Sequence, residues 1–256
     1  MINKVFNEDC LIGMQRIPDK SVDMILCDLP YQTTANDWDF IVPFEPLWGQ
    51  IKRVCKDNAN IILTSDGIFT AKLIMSNDKW FKYKMIWDKV STTDFLNANK
   101  RPLRQHEDIC VFNKKNGTYN PIMRKGKLRQ KGGGKTNNGC YGEAEFNSKI
   151  NDEYYPTSII KISNAVQIDK IHPTQKPVEL FEYLINTFSN ENDIILDMTI
   201  GSGTTAIACI NTKRNYIGFE MDKTYFDLAT KRIEKHTKEF NCEVGLFAAP
   251  AQQSLF

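Results

Sequence analysis

Three acids stand where apolar runs stop. Asp28 follows Val22–Cys27 in the stretch VDMILCDLPY, Asp197 closes IILD, and Glu220 closes YIGFE. A carboxylate at the C-terminal end of a buried strand faces the crevice where open α/β sheets bind ligands. After Asp197 comes Gly201-Ser202-Gly203, opening a helical pattern, and Glu220 lies nineteen residues beyond Gly201. A strand, glycine turn and helix let the backbone approach a ligand closely, and a carboxylate on the next strand end accepts hydrogen bonds from both hydroxyls of a ribose. The unit therefore suits an adenosine-containing ligand. Gly201-x-Gly203-x-x-Ala206 also satisfies a loose dinucleotide fingerprint, so these glycines alone leave NAD open. Asp197 favours a ligand with an ammonium group, such as S-adenosylmethionine, over one whose pyrophosphate it would repel. Asp28-Leu29-Pro30-Tyr31, taken alone, is no more than an Asx-Pro turn with an aromatic beside it.

These acids need rigid mounts, and the rest of the chain supplies them. Short apolar runs alternate with helical patterns, which predicts a mostly parallel sheet covered by helices. Strands are expected at Val22–Cys27, Asn60–Thr64, Lys84–Trp87, Ile109–Phe112, Asp193–Asp197 and Tyr216–Glu220. Helices are expected at Phe44–Cys55, Pro177–Phe188, Thr204–Asn211 and Tyr225–Phe240. The 256 residues, 41% hydrophobic and 25% charged, suffice for one α/β domain with an insertion. A net charge of +2 demands no polyanionic partner for the chain as a whole. Seven scattered cysteines without a C-x-x-C spacing argue against a disulfide framework and against a zinc site, and point to a reducing, intracellular setting. No signal peptide and no apolar run of membrane-spanning length is present, which predicts a soluble, cytoplasmic protein.

Together, the DLPY turn, the glycine turn and Glu220 resemble the amino-group DNA methyltransferases, whose usual catalytic motif is D-P-P-Y. The catalytic motif precedes the glycine turn, the order of the β class. His172-Pro173-Thr174-Gln175-Lys176-Pro177 is similar to that family's additional cofactor motif, and Asn7-Glu8-Asp9-Cys10 to the segment that reaches the cofactor's adenine. The resemblance implies a doubly wound, Rossmann-like methyltransferase sheet and methyl transfer from S-adenosylmethionine to a base flipped out of duplex DNA. It implies that Asp28 and the carbonyl of Leu29 accept the N–H groups of an exocyclic amine, that Pro30 stiffens the turn, and that Tyr31 stacks on the base. Leu29 replaces the family's proline, but the function carried to that position is a main-chain carbonyl. Asp in the first position favours N6 of adenine; N4 of cytosine is the alternative within the family. An NAD-dependent oxidoreductase and an inactive DNA-binding protein are alternatives from other classes. The implied cofactor contacts are Asp9, Cys10, Asp28, His172, Pro173, Thr174, Lys176, Asp197, Thr199, Gly201, Ser202, Gly203, Thr204, Thr205, Glu220 and Met221.

The resemblance divides the chain into a catalytic and cofactor-binding part at 1–112 and 166–240, a target-recognition insertion at 113–165 and a tail at 241–256. Between Asn113 and Tyr141 there are eight Lys or Arg and no acid, the composition of a phosphate-contacting surface. Arg124, Lys125, Lys127, Arg129, Lys131 and Lys135 are the candidate DNA contacts. The loop after Tyr31, with Thr33, Thr34, Asn36 and Trp38, suits a DNA contact or a lid. His106-Glu107 is assigned a structural role, because methyl transfer to an amine needs no such acid/base pair. Gln252-Gln253-Ser254-Leu255-Phe256 resembles the motif that docks on bacterial sliding clamps. Similar enzymes include homodimers, although no interface is legible here.

Overall fold

The computed structural model describes residues 1–32, 41–139, 142–165, 171 and 174–247. The loop with Thr33, Thr34, Asn36 and Trp38, the pair His172 and Pro173, and the tail Gln252–Phe256 lie outside the described residues.

β1 (Lys4–Asn7) and α1 (Cys10–Met14) lead into β2 (Val22–Cys27), α2 (Phe44–Val54), β3 (Cys55–Ser65), α3 (Gly67–Ser76), β4 (Phe81–Thr93) and β5 (Arg104–Phe112). Four polar strands follow: β6 (Arg124–Lys131), β7 (Gly134–Asn138), β8 (Gly142–Phe146) and β9 (Lys149–Tyr154). The chain returns through β10 (Ile159–Lys161), α4 (Val178–Phe188), β11 (Ile194–Asp197), α5 (Thr204–Asn211), β12 (Asn215–Glu220) and α6 (Lys223–Phe247).

Eight strands form one sheet in the order β1-β12-β11-β2-β3-β5-β4-β10. All neighbours are parallel except β5, which runs antiparallel to both β3 and β4. Alternation along the inner strands feeds two cores. Ile61 and Leu63 of β3 and Cys110 and Phe112 of β5 face the helices α1, α2 and α3. Ile62, Ile109 and Val111, which alternate with them in sequence, face α4 and α5. A strand covered on both faces must be apolar at every position, which is why these runs are continuous and legible. In α2, Leu47, Trp48, Ile51 and Val54 recur at helical spacing and are all buried, each stabilising the sheet face by roughly 1.5–3 kcal/mol.

The sheet is doubly wound, as the family resemblance implies. From β11 the chain crosses through α5 to β12 on one side, whereas from β2 it crosses through α2 to β3 on the other. Neighbouring strands whose connections diverge leave a crevice at their C-terminal ends. Asp28 and Asp197 are at the two lips of it.

The strand expected at Val22–Cys27 has those bounds, the one expected at Asp193–Asp197 starts one residue later at Ile194, and the other four lie inside longer strands; the last helix runs from Lys223 to Phe247 rather than from Tyr225 to Phe240. The basic stretch supplies β6 and β7, which pair with β9 and β8 beyond it. Residues Asn120–Thr157 make a compact unit of their own, and Met1–Tyr119 with Ser158–Phe256 make the other. Among the described residues, no helix is long and apolar enough to cross a membrane.

Candidate functional site

A cavity of about 410 Å³ opens at the crevice. Its floor is made by the ends of β1, β12, β11 and β2, and it continues toward β5 and β4 through Glu107, Trp87 and Lys89. The glycine turn closes one end. Gly201 and Gly203 hold φ of +51° and +79°, values that side-chain-bearing residues rarely adopt. A Cβ on Gly203 would also lie 2.9 Å from Ile233 Cδ1 of α6. The turn is bonded to its surroundings on every side. Gly201 N–H donates to Glu220 Oε2 at 2.9 Å, and Asp222 N–H donates to Glu220 Oε1 at 2.9 Å. Arg232 of α6 donates to the Ser202 carbonyl at 2.9 Å and to Thr204 Oγ1 at 3.2 Å. Thr204 Oγ1 in turn lies 3.3 Å from the Lys176 carbonyl and donates to it.

Asp197 is buried, accepting from Thr199 N–H at 3.1 Å and from the Thr205 hydroxyl. Burial pushes its carboxyl up to about 7, against the hydrogen bonds from Thr205 and Thr199 that favour the anion. Burial likewise raises Glu220. Thr199 ties the two strand ends together. Its hydroxyl donates to the main-chain oxygen of Asp28 at 3.0 Å and sits 3.1 Å from Cys27 Sγ. At the β1 end, Asp9 Oδ1 caps α1 through Leu11 N–H at 2.7 Å and Ile12 N–H at 3.2 Å. Cys10 beside it is buried and pushed up to about 12 by that burial, so its thiol stays neutral. Asp9, Cys10, Thr174, Asp197, Thr199, Gly201, Ser202, Thr204, Thr205, Glu220 and Met221 all line the cavity. Gly203 lies behind them as the residue that starts α5.

The DLPY turn forms the facing wall. Asp28, Leu29, Pro30 and Tyr31 all reach the cavity, and Leu29 also packs its side chain into the core below. Asp28 Oδ1 accepts from the Tyr31 hydroxyl at 2.7 Å and from the Thr64 hydroxyl, which are themselves 2.8 Å apart. Each hydroxyl carries one proton, so the trio shares two protons over three close pairs. Tyr31 stays a neutral phenol, since burial and then the Asp28 charge push it upward. The Tyr31 ring, the expected platform for a base, stacks on Phe69 of α3 with centroids 4.9 Å apart.

Lys176, expected as a cofactor contact, lines the cavity and places its ammonium beside the DLPY turn. Nζ donates to Asp28 Oδ2 at 2.7 Å, lies 3.2 Å from Glu107 Oε2, and sits 5.7 Å from the Tyr31 ring centroid. Its backbone remains with the glycine turn through Thr204. Glu107 also takes Lys89 Nζ at 3.1 Å on its other oxygen. Burial opposes the Glu107 charge, but the two ammoniums prevail and hold it below the usual glutamate range. Glu107, for which a structural role is expected, lines the cavity within this charge cluster. Lys89 and Arg232 carry no local sequence signal, since each acts on residues far away in the chain.

The candidate DNA contacts belong to the Asn120–Thr157 unit. Arg124, Lys125, Lys127 and Arg129 are exposed on β6, Lys131 ends that strand, and Lys135 is exposed on β7. Acids absent from the basic stretch itself stand opposite on the partner strands. Lys125 pairs with Glu153 at 3.0 Å and Lys135 with Glu145 at 3.6 Å.

The chain is similar to DNA methyltransferases. A type II methyltransferase of Haemophilus influenzae, M.HinfI, is 28% identical over 91% of this chain and 69% of its own. M1.MboII of Moraxella bovis is 28% identical over 89% of this chain and 95% of its own. Among solved structures, M1.HpyAVI in complex with SAM superposes with a TM-score of 0.63 at 24% identity, covering 90% of this chain and 98% of that one. The cytosine-N4-specific PvuII DNA methyltransferase superposes with a TM-score of 0.66 at 15% identity, covering 93% and 91%. The sequence profile of the N6/N4 DNA methylases matches residues 22–231, and the chain belongs to that family.

Proposed function

We propose that this DNA methyltransferase modifies the exocyclic N6 of an adenine flipped out of a specific site in duplex DNA. The observation that supports the reading is Asp28, an acid fixed at a strand end on the cavity wall, directly across the crevice from the glycine turn and Asp197. The lone pair of an aromatic amine is delocalised into the ring, so the amine is a poor nucleophile until its N–H groups are held. A carboxylate offers about four acceptor positions. Tyr31, Thr64 and Lys176 use at most three of them on Asp28. One remains for an amine N–H, and the Leu29 carbonyl takes the other, which turns the nitrogen lone pair toward the glycine turn.

The methyl donor is S-adenosylmethionine, which when bound supplies an electrophilic methyl on a sulfonium sulfur. The residues present fit it. Gly201 carries no Cβ where the backbone faces the cavity, and Glu220 stands at the next strand end to meet ribose hydroxyls. Asp197 would meet the ammonium and Asp9 or its neighbours the adenine end. Lys176 and the hydroxyls of Tyr31 and Thr64 orient the Asp28 carboxylate, and the surplus proton of the methylated amine passes first to that carboxylate. The basic strands β6 and β7, with Arg124, Lys125, Lys127, Arg129, Lys131 and Lys135, contact DNA phosphates and bases in this reading.

Methyl transfer from labelled donor to DNA, with mapping of the modified base, tests it. Wild type should produce N6-methyladenine at one recognition sequence, and Asp28→Ala should lower transfer by at least about a thousandfold. N4-methylcytosine in the product would reassign the base. Equal transfer by both proteins would remove Asp28 from the mechanism.

A further inference from the structure

Beside Asp28, the cavity wall carries a cluster of charge that the cofactor turn does not use. Lys89, Glu107, Lys176 and Asp28 form an alternating chain. Glu107 receives Lys89 Nζ at 3.1 Å on one oxygen and Lys176 Nζ at 3.2 Å on the other, and Lys176 continues to Asp28 at 2.7 Å. The side chains of Lys89, Lys176 and Glu107 are only 5%, 8% and 14% exposed. Buried ammoniums are costly unless paired. These four groups line the substrate cavity rather than the apolar core, so their charges face the reaction.

Asp28 changes charge during catalysis. As the base enters, an amine N–H takes the acceptor position that Tyr31, Thr64 and Lys176 leave open. Once the methyl is bonded to nitrogen, the amine carries one proton too many. That proton passes to an Asp28 oxygen, the carboxylate becomes a neutral acid, and the proton returns to solvent as the product base withdraws. The charge of the four-membered cluster rises from zero to +1 in that interval. With Asp28 as its only counter-ion, Lys176 would stand buried and uncompensated at that moment.

We propose that Glu107 is a positioning residue of methyl transfer, holding Lys176 charged and fixed beside Asp28 while Asp28 accepts the amino group of the base and then its surplus proton. The inference rests on Asp28 as acceptor of that amino group, and it holds for adenine or cytosine alike. Asp28 and Tyr31 from the end of β2 and Glu107 from β5 face the Lys176 ammonium, and Lys89 of β4 joins the cluster through Glu107. Burial works against the Lys176 charge, yet Asp28 and Glu107 together hold it above the ordinary lysine range. Without Glu107, burial is opposed by one carboxylate, and Lys176 loses its proton at lower pH.

The test compares wild type, Glu107→Gln and Glu107→Asp in single-turnover transfer to DNA from about pH 6 to pH 10. Glu107→Gln should slow transfer by about tenfold or more and introduce an alkaline fall in rate that wild type lacks. Its S-adenosylmethionine affinity by calorimetry should stay within about twofold of wild type. Glu107→Asp should restore the wild-type pH profile and part of the rate. A Glu107→Gln rate and profile equal to wild type would overturn the proposal. Parallel losses of rate, cofactor affinity and thermal stability with an unchanged profile would do the same, because they mark a structural role only. Asp28→Ala, run alongside, separates this from the mechanism itself: if it remains active, the acceptor reading fails whatever Glu107 does.

Discussion

Asp197 has two ways to balance its burial, and they respond oppositely to pH. Its carboxyl is pushed up to about 7, far above an unfolded aspartate near pH 4. A proton on Asp197 therefore favours the ligand-free fold, and the stability this provides is lost as pH rises from about 4 to about 7. An ammonium ligand replaces the proton. S-adenosylmethionine affinity should then weaken as pH falls below about 7, by up to about tenfold per pH unit. Asp197→Asn should bind weakly with a flat pH dependence, and calorimetry across the range reads both. An affinity in wild type that is flat through neutrality would show that Asp197 does not meet the ammonium. Asp28, Asp197 and Glu220 are legible in the sequence because each sits beside its own strand within a short stretch of chain. Lys176 is legible as a site residue but not by its partner: its backbone belongs to the glycine turn, whereas four methylenes carry its charge to Asp28, 148 positions away in the sequence. Glu107 reads in the sequence only as half of the His106-Glu107 pair and nothing local marks Lys89, because their contacts exist only once β4 and β5 are placed beside the crevice.

The glycine turn and α6 are coupled at the level of elements. α6 supplies Arg232 to the Ser202 carbonyl and packs Ile233 against Gly203, so the turn has no room to relax in that direction. Gly203→Ala forces a Cβ onto a backbone of φ +79° and within 2.9 Å of Ile233 Cδ1. It should destabilise the protein by about 2–3 kcal/mol in denaturant unfolding. Cofactor affinity should fall further than stability accounts for, since the N–H groups of the turn move with it. Gly201→Ala is the contrast. Its Cβ would find only Thr199 O, at 3.9 Å, so its cost comes from φ alone and should be smaller, about 1–2 kcal/mol. Equal losses for the two would mean that α6 does not brace the turn. Element legibility follows burial. β2, β3 and β5 carry the unbroken apolar segments Met24–Cys27, Ile61–Leu63 and Ile109–Phe112 where both faces are covered, whereas the strands of the basic unit have no apolar alternation to betray them. β1 and α1 are only four and five residues long, and α3 is apolar nearly all round, so neither length nor periodicity announces them.

At the scale of the whole molecule, a net charge of +2 conceals a strong local asymmetry. The sequence places eight basic residues between Asn113 and Tyr141 but cannot say what faces them. In the folded unit, β9 sets Glu153 opposite Lys125 and β8 sets Glu145 opposite Lys135. A basic side chain already paired with a carboxylate contributes less on meeting a phosphate, because it must give up one partner for the other. Lys127 and Arg129 have no such acid among the described residues, and Arg124 spends only part of its guanidinium on the Tyr155 carbonyl at 3.2 Å. The six candidate residues should therefore divide unequally. Removing one cation that neutralises a phosphate reduces the slope of log affinity against log salt by about 0.9. The triple change Arg124→Ala, Lys127→Ala and Arg129→Ala should flatten the slope for duplex DNA by about 2–3. Lys125→Ala with Lys135→Ala should flatten it by less than about 1. Transfer at saturating DNA should be preserved in both, because the cavity is built from the other unit. Titrations with cognate and unrelated duplexes then sort the residues: uniform weakening marks those that meet phosphates, and weakening confined to the cognate duplex marks base readout. A triple variant with the wild-type slope would show that DNA does not lie on β6, whatever the charge of its sequence suggests.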